Sequence, residues 1–156
     1  MKIRAAEHED SQKILHVITD AIVANAGNHY SAQQIDAWSG GFAEESIVLA
    51  IEYTGALVAE TDGQVVGFGN IEISDEVTAQ IHLLYVSSQY QRKGVGALLI
   101  EELEIQARAA GKLSVEADVS LQAHGLFLKV GYSTRENYIK IHRGLEFPNS
   151  WVERKL

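Results

Sequence analysis

Cysteine is absent from all 156 residues, which excludes disulfide staples, thiolate nucleophiles and cysteine-held metals. Proline occurs once, at Pro148, and no linker, repeat or low-complexity stretch divides the chain. No apolar run approaches the roughly 20 residues of a membrane-spanning helix, and the N-terminal MKIRAAEHED has no apolar leader core. Basic residues are scarce in one half only. Residues 1–80 hold 3 Lys/Arg against 13 Asp/Glu, a balance of −10, whereas residues 81–156 hold 10 against 8. Such an acidic half disfavours nucleic acid as a partner. No histidine pair has metal-ligand spacing (His8 and His16 are eight apart), so no metal is expected. A single domain over residues 1–156, cytoplasmic and with no membrane partner, is the expectation, and a homodimer is compatible with it.

Periodicity outlines the elements. Lys2–Ala5 reads as a strand. Ile14, Ile18, Ala21, Ile22 and Asn25 trace one helical face from Glu9 to Ala26, stopped by Gly27. Ser31, with Gln34 three residues on, forms a capping box that opens a second helix carrying Trp38 near its end. A third helix spans Ala43–Tyr53. Thr54–Glu60 and Gln64–Ile73 are strands about the turn Thr61-Asp62-Gly63, and Thr78–Val86 is the next strand. A long helix with Val95, Leu99, Leu103, Ala107 and Ala110 on one face ends at Gly111. Leu113–Val119 is a strand, Leu121–Val130 a helix, and Asn137–Arg143 with Glu146–Lys155 a closing antiparallel pair. This order predicts an α/β (α+β) fold, a mixed and mostly antiparallel sheet with one parallel crossover, flanked by helices on both faces.

The most informative segment joins the strand at Ile81–Val86 to the long helix through Gln91-Arg92-Lys93-Gly94-Val95-Gly96. Glycines 94 and 96 let backbone pass close to a ligand. The first N–H groups of a helix, at the positive end of its dipole, favour a phosphate. The spacing does not fit a P-loop, which needs four residues between glycines and then Gly-Lys-Ser/Thr. Nor does it fit a dinucleotide fingerprint: Leu99 stands where a third Gly or Ala belongs, and Gly94 comes eight positions after Val86. What remains is Gln/Arg-x-x-Gly-x-Gly/Ala, satisfied by Gln91, Gly94 and Gly96 with Ala97 next.

That pattern resembles the coenzyme-A loop of the GNAT superfamily of N-acetyltransferases, and the element order resembles the family's over nearly the whole chain. Ser120, Ala123, Leu126-Phe127 and Gly131-Tyr132 resemble a second family signature. His29–Trp38, together with Arg143, Gly144, Asn149 and Val152–Leu156, resembles a bacterial, largely uncharacterised subgroup. The resemblance implies a GNAT-like acyl-CoA N-acyltransferase fold with acetyl-CoA as co-substrate. It places the coenzyme against Leu84, Tyr85 and Val86, on Gln91, Arg92, Lys93, Gly94, Val95, Gly96 and Ala97, and near Ser120 and Phe127.

Transfer of an acetyl group to a primary amine by direct attack sets demands on this chain. An alkylammonium of pKa about 10.4 is roughly one part in 2,500 neutral at pH 7, so a base must remove a proton. In the serotonin N-acetyltransferase branch a proposed base histidine holds the position that His82 holds relative to the loop. His82 reads equally as a histidine satisfied within a half-buried sheet, and Glu72 on the preceding strand is a second candidate. Many members carry a glutamate two residues before this histidine, where Gln80 stands and cannot act as base. The tyrosine that commonly protonates the leaving thiolate falls at Phe127, so Tyr132, Ser120 or water would have to substitute, and His124 lies nearby in sequence. His29, Tyr30 and Trp38 belong to the segment that lines the acceptor side in this family, although Trp38 also fits a core position. The acidic half points to a small cationic amine as acceptor. A protein acceptor or a non-catalytic acyl-CoA sensor are the alternatives.

Overall fold

A computed structural model describes residues 1–25 and 28–156. It contains strands β1 (Lys2–Ala5), β2 (Gly55–Thr61), β3 (Gln64–Glu72), β4 (Thr78–Val86), β5 (Ser114–Ser120), β6 (Ser133–His142) and β7 (Leu145–Lys155). The helices are α1 (Ser11–Val23), α2 (Ala32–Ser39), α3 (Glu44–Tyr53), α4 (Val95–Ala109) and α5 (Leu121–Lys129). The strands form one sheet in the order β1-β2-β3-β4-β5-β7-β6, with β4 and β5 its parallel pair. Among the described residues no helix is long and apolar enough to cross a membrane.

Local chemistry explains most boundaries. Ser31 Oγ accepts from the Gln34 N–H at 3.1 Å while Gln34 Oε1 accepts from the Ser31 N–H at 2.7 Å, the expected capping box. Asp62 and Gly63 both have positive φ and make the two-residue turn between β2 and β3. Arg143 and Gly144 do the same between β6 and β7. Two elements differ from the sequence reading by more than one residue at a boundary. The first helix begins at Ser11, after a short 3₁₀ turn at His8–Asp10, and ends at Val23; its expected end at Ala26 and Gly27 lies outside the described residues. Strand β6 starts four residues before Asn137, because the polar run Ser133–Glu136 pairs with β7 through a bulge that hydrophobic alternation does not reveal.

Two cores sandwich the sheet. On one face Ile100 and Leu103 of α4 and Phe127 of α5 are fully buried against Ile71, Ile81, Val115 and Val152. On the other, Ile14, Ile18 and Ile22 of α1 with Ile35 and Ile47 cover Val58, Phe68 and Phe147. Each such side chain contributes about 1.5–3 kcal/mol by leaving water. Burial on both faces holds the sheet in register, and the functional geometry depends on where that register fails.

Candidate active site

Strand β4 fails to pair regularly on both sides. Toward β3, Asn70 pairs with Leu83 but Ile71 pairs with Ile81, leaving His82 as the extra residue of a β-bulge. The buried side chain of Asn70 holds the bulge open: its Oδ1 accepts the Leu83 N–H at 2.9 Å, and its Nδ2 donates to Thr54 Oγ1 at 3.1 Å. Toward β5, pairing covers only Thr78–Ile81 against Ser114–Ala117, and the strands then part. Ser87 N–H donates to Val66 O, so alternation along the antiparallel ladder turns the N–H groups of Leu84 and Val86 away from β3, into the gap.

A cavity of about 290 Å³ opens at this gap. It brings together His82, Leu84, Tyr85, Val86, Gln91, Ser120, Phe127, Tyr30 and Trp38, nine of the residues singled out from sequence. His29 is exposed and is not among the residues that line it, and neither are Arg92–Ala97 of the glycine turn. Glu72 is not in the lining but touches a residue that is: its Oε2 lies 2.5 Å from His82 Nε2. The two candidate bases are therefore one pair, with Glu72 opposite Gln80 in the ladder. The hydrogen bond from His82, then that from Ser74, holds the Glu72 carboxyl below its ordinary value. An ionised carboxylate only accepts, so Nε2 carries the proton of this bond, and in the neutral imidazole the lone pair is then on Nδ1.

The turn before α4 has left-handed backbone at Arg92 (φ 60°) and Gly94 (φ 85°), a conformation that lines up N–H groups on a concave surface. Gly94 caps α4, and a Cβ there would meet nothing within 4 Å. At Gly96 a Cβ would stand 2.7 Å from Leu126 Cδ2, so the packing of α5 also favours the smallest residue at this position. The Val95 side chain likewise belongs to the core, leaving only its backbone at the turn. Gln91 Nε2 donates to Val86 O at 3.0 Å and folds the turn back on β4; Lys93 lies over the Tyr90 ring. Asp20 of α1 anchors the same segment. Burial would raise its carboxyl, but the Ser88 N–H and the Ser88 and Ser87 hydroxyls outweigh that and hold it low.

Opposite His82 the cavity wall is Asp118, which accepts from Tyr138 Oη at 2.5 Å, Asn149 Nδ2 at 3.0 Å and Lys140 Nζ at 3.3 Å. Sequence reasoning passed over this group. Alternation along β5 puts Glu116, Asp118 and Ser120 on one face, but the neighbours come from β6 and β7, whose insertion order is not legible in one sequence. Trp38 Nε1 donates to Tyr85 Oη at 3.0 Å, and burial pushes the Tyr85 hydroxyl up to about 12. Tyr30 is 5% exposed and stacks edge-on to Trp38, and its hydroxyl has no hydrogen-bond partner among the described residues.

The groups considered in place of a tyrosine at Phe127 are otherwise engaged. Tyr132 Oη donates to buried Glu104 at 2.9 Å on the far side of the sheet, with Arg154 on the same carboxylate. Ser120 Oγ accepts the Ala123 N–H as the α5 cap, and His124 bonds Thr134 Oγ1.

Comparison with known proteins agrees with this geometry. An uncharacterized N-acetyltransferase of Escherichia coli K12, YafP, is 28% identical over 155 residues, covering 99% of this chain and 96% of that protein. The crystal structure of a GCN5-related N-acetyltransferase from Rhodopseudomonas palustris superposes with a TM-score of 0.91 at 27% identity, covering 99% and 95% of the two chains. The fold is shared by the PaiA N-acetyltransferase of Thermoplasma acidophilum, solved with coenzyme A, at a TM-score of 0.81 and 22% identity over 99% and 98%. The acetyltransferase (GNAT) domain profile matches residues 26–148, which span β4, the glycine turn, α4 and the parted strands, and the chain belongs to that N-acetyltransferase family.

Proposed function

We propose that the protein moves an acetyl group from acetyl-coenzyme A to the primary amine of a small molecule held in the cavity. The observation that carries this reading is the His82–Glu72 pair on a bulge at the rim of that cavity. The residues present suit the coenzyme. Arg92–Ala97 offers a concave run of N–H groups at a helix start for its pyrophosphate. Leu84 and Val86 turn N–H groups into the gap for its amide-bearing arm. When bound, the coenzyme supplies an acyl group activated as a thioester.

In this reading Glu72 orients His82, and His82 Nδ1 takes the proton from the incoming ammonium and passes it to solvent. The Leu84 N–H faces the gap as a donor for the negative charge that develops on the acyl oxygen. The acceptor we favour is a small cationic amine, supported by the Asp118 carboxylate, which shares the cavity with its partner Lys140, and by the aromatic lining of Trp38, Tyr85 and Phe42. The −10 balance of residues 1–80 does not itself enter the cavity, since the lining residues from that part (Ala21, Asn25, Tyr30, Trp38, Gly41 and Phe42) are uncharged. A cavity of about 290 Å³ suits a small acceptor better than a polypeptide.

Thiol release from acetyl-coenzyme A over matched cationic, neutral and acidic amines, at two salt concentrations, tests the reading. The cationic amine should turn over fastest, with an advantage that shrinks as salt screens the charge. Preference for the acidic amine, or for a peptide N-terminus over every small amine, would overturn it.

A further inference from the structure

The nitrogen that attacks a thioester must be neutral at that moment, and a carboxylate beside it would hold it as an ammonium and oppose loss of the proton. Asp118 is nevertheless the one carboxylate among the described residues that line the cavity. Its charge therefore suits a different positive centre, one that keeps its proton throughout the reaction. Two of its partners are firmly placed. Tyr138 Oη donates to Oδ2 and Asn149 Nδ2 to Oδ1. Burial, then the carboxylate itself, pushes the Tyr138 hydroxyl above its ordinary value, so it remains a donor. Lys140 differs. Its ammonium reaches the same Oδ2 at 3.3 Å, the longest of the three contacts, and its side chain is 48% exposed where that of Asp118 is 14%. An ammonium on a flexible arm thus rests on the carboxylate of the cavity.

We infer that the acceptor is a diamine, and that Lys140 occupies in the free protein the place of its second ammonium group. One amine reacts at His82 while the other replaces Lys140 on Asp118. This rests on the acetyl transfer proposed above. The exchange swaps one ammonium for another, so Asp118 is never left as an unpaired charge, and the four-carbon arm of Lys140 lets its own ammonium swing into water. The aromatic lining of Trp38, Tyr85 and Phe42 offers the joining methylene chain an apolar wall. The C–N bond forms at the neutral amine as the C–S bond breaks, its electron pair stays on sulfur, and the proton lost by the amine leaves through His82. The product keeps its second ammonium on Asp118. Turned around, it would set an uncharged amide against that carboxylate, so a single acetyl group per molecule is the expected outcome.

Diaminopentane and pentylamine differ only in the second amine, and the ratio of their kcat/KM values in thiol release cancels any effect common to both. Wild type should favour diaminopentane at least about ten-fold, since a hydrogen bond to a charged group is worth that much. Mass spectrometry should find the monoacetyl product accumulating. Asp118→Asn keeps an acceptor oxygen but removes the charge, and should bring the ratio to within about two-fold of one. A merely structural Asp118 would slow both amines alike and leave the ratio where it was. Lys140→Met, at an exposed side chain, removes the competing ammonium and should widen the ratio about two- to five-fold, the range a solvent-screened ion pair allows. An unchanged ratio in Asp118→Asn, a narrower one in Lys140→Met, or equal efficiency with the two amines in wild type would overturn the inference while leaving acetyl transfer to a small amine intact. Failure of wild type to release thiol with either amine would overturn both.

Discussion

Removing His82 should separate catalysis from stability. Its side chain is 37% exposed and that of Glu72 44%, so water screens the pair despite the 2.5 Å separation. A solvent-screened pair contributes about 0–1 kcal/mol, and His82→Ala should shift the urea midpoint by no more than that. A general base contributes roughly 10²–10⁴-fold, so kcat should fall by that factor while the affinity for coenzyme A stays within a few-fold. Glu72→Gln keeps an oxygen that accepts from Nε2 but removes the charge. The loss of up to about 1 kcal/mol converts to a roughly five-fold lower kcat. A base must be deprotonated to act, so with His82 as the base the acidic limb of the pH–rate profile should flatten in His82→Ala. The assay is thiol release at saturating acetyl-coenzyme A from pH 5 to 9. Turnover within a few-fold of wild type, with the acidic limb retained, would refute the base assignment.

The two glycines of the turn should fail differently. Gly94→Val forces a branched residue to φ 85° in open space, so coenzyme affinity should drop at least ten-fold in calorimetry with only about 1–3 kcal/mol of stability lost. Gly96→Val collides with Leu126 and should lose about 1–3 kcal/mol, read as a lower Tm, whether or not coenzyme is present. Asp10 should govern acid sensitivity. The hydrogen bond from Arg4 outweighs burial and holds its carboxyl below the unfolded value of about 3.9, so its stabilisation is complete above that pH and is lost as pH falls through the folded value. Asp10→Asn should therefore cost about 1–3 kcal/mol in urea unfolding at pH 7, with the gap to wild type closing below about pH 3.9.

The elements whose signals are local were legible from sequence. The Ser31 capping box, the Asp62-Gly63 turn and the glycine turn after β4 depend on residues within a few positions of one another, and they stand where they were expected. The parallel pairing of β4 and β5 followed from the crossover through α4. What stayed hidden depends on register between distant segments. His82 and Glu72 read as rival bases because a bulge one residue long, held by Asn70, decides that they meet. Asp118 was invisible because Tyr138, Lys140 and Asn149 reach it across strands whose spatial order reverses their order in the chain. Gly96 was read from a ligand motif alone, and its contact with Leu126 of α5 depends on a helix that lies 25 residues further along the chain.

The reversed order of the last two strands also sets a timetable for folding. Strand β7 lies inside the sheet, between β5 and β6, and its Asn149–Lys155 portion pairs with all of β5, from Ser114–Lys155 to Ser120–Asn149. The meander from β2 to β4 closes through short loops, which form early at little entropic cost. The wall carrying Asp118, Asn149 and Phe147 needs a strand made about 25 residues after β5, which must dock beside β5 with β6 as its hairpin partner on the outer edge. A nascent chain stopped short of Leu145 would thus present the glycine turn and the His82 bulge with β5 unpaired on one side. Such an edge invites pairing with another chain. The acceptor cavity is complete only when β7 has docked on β5, and competition for that edge of β5 is the hazard the arrangement carries.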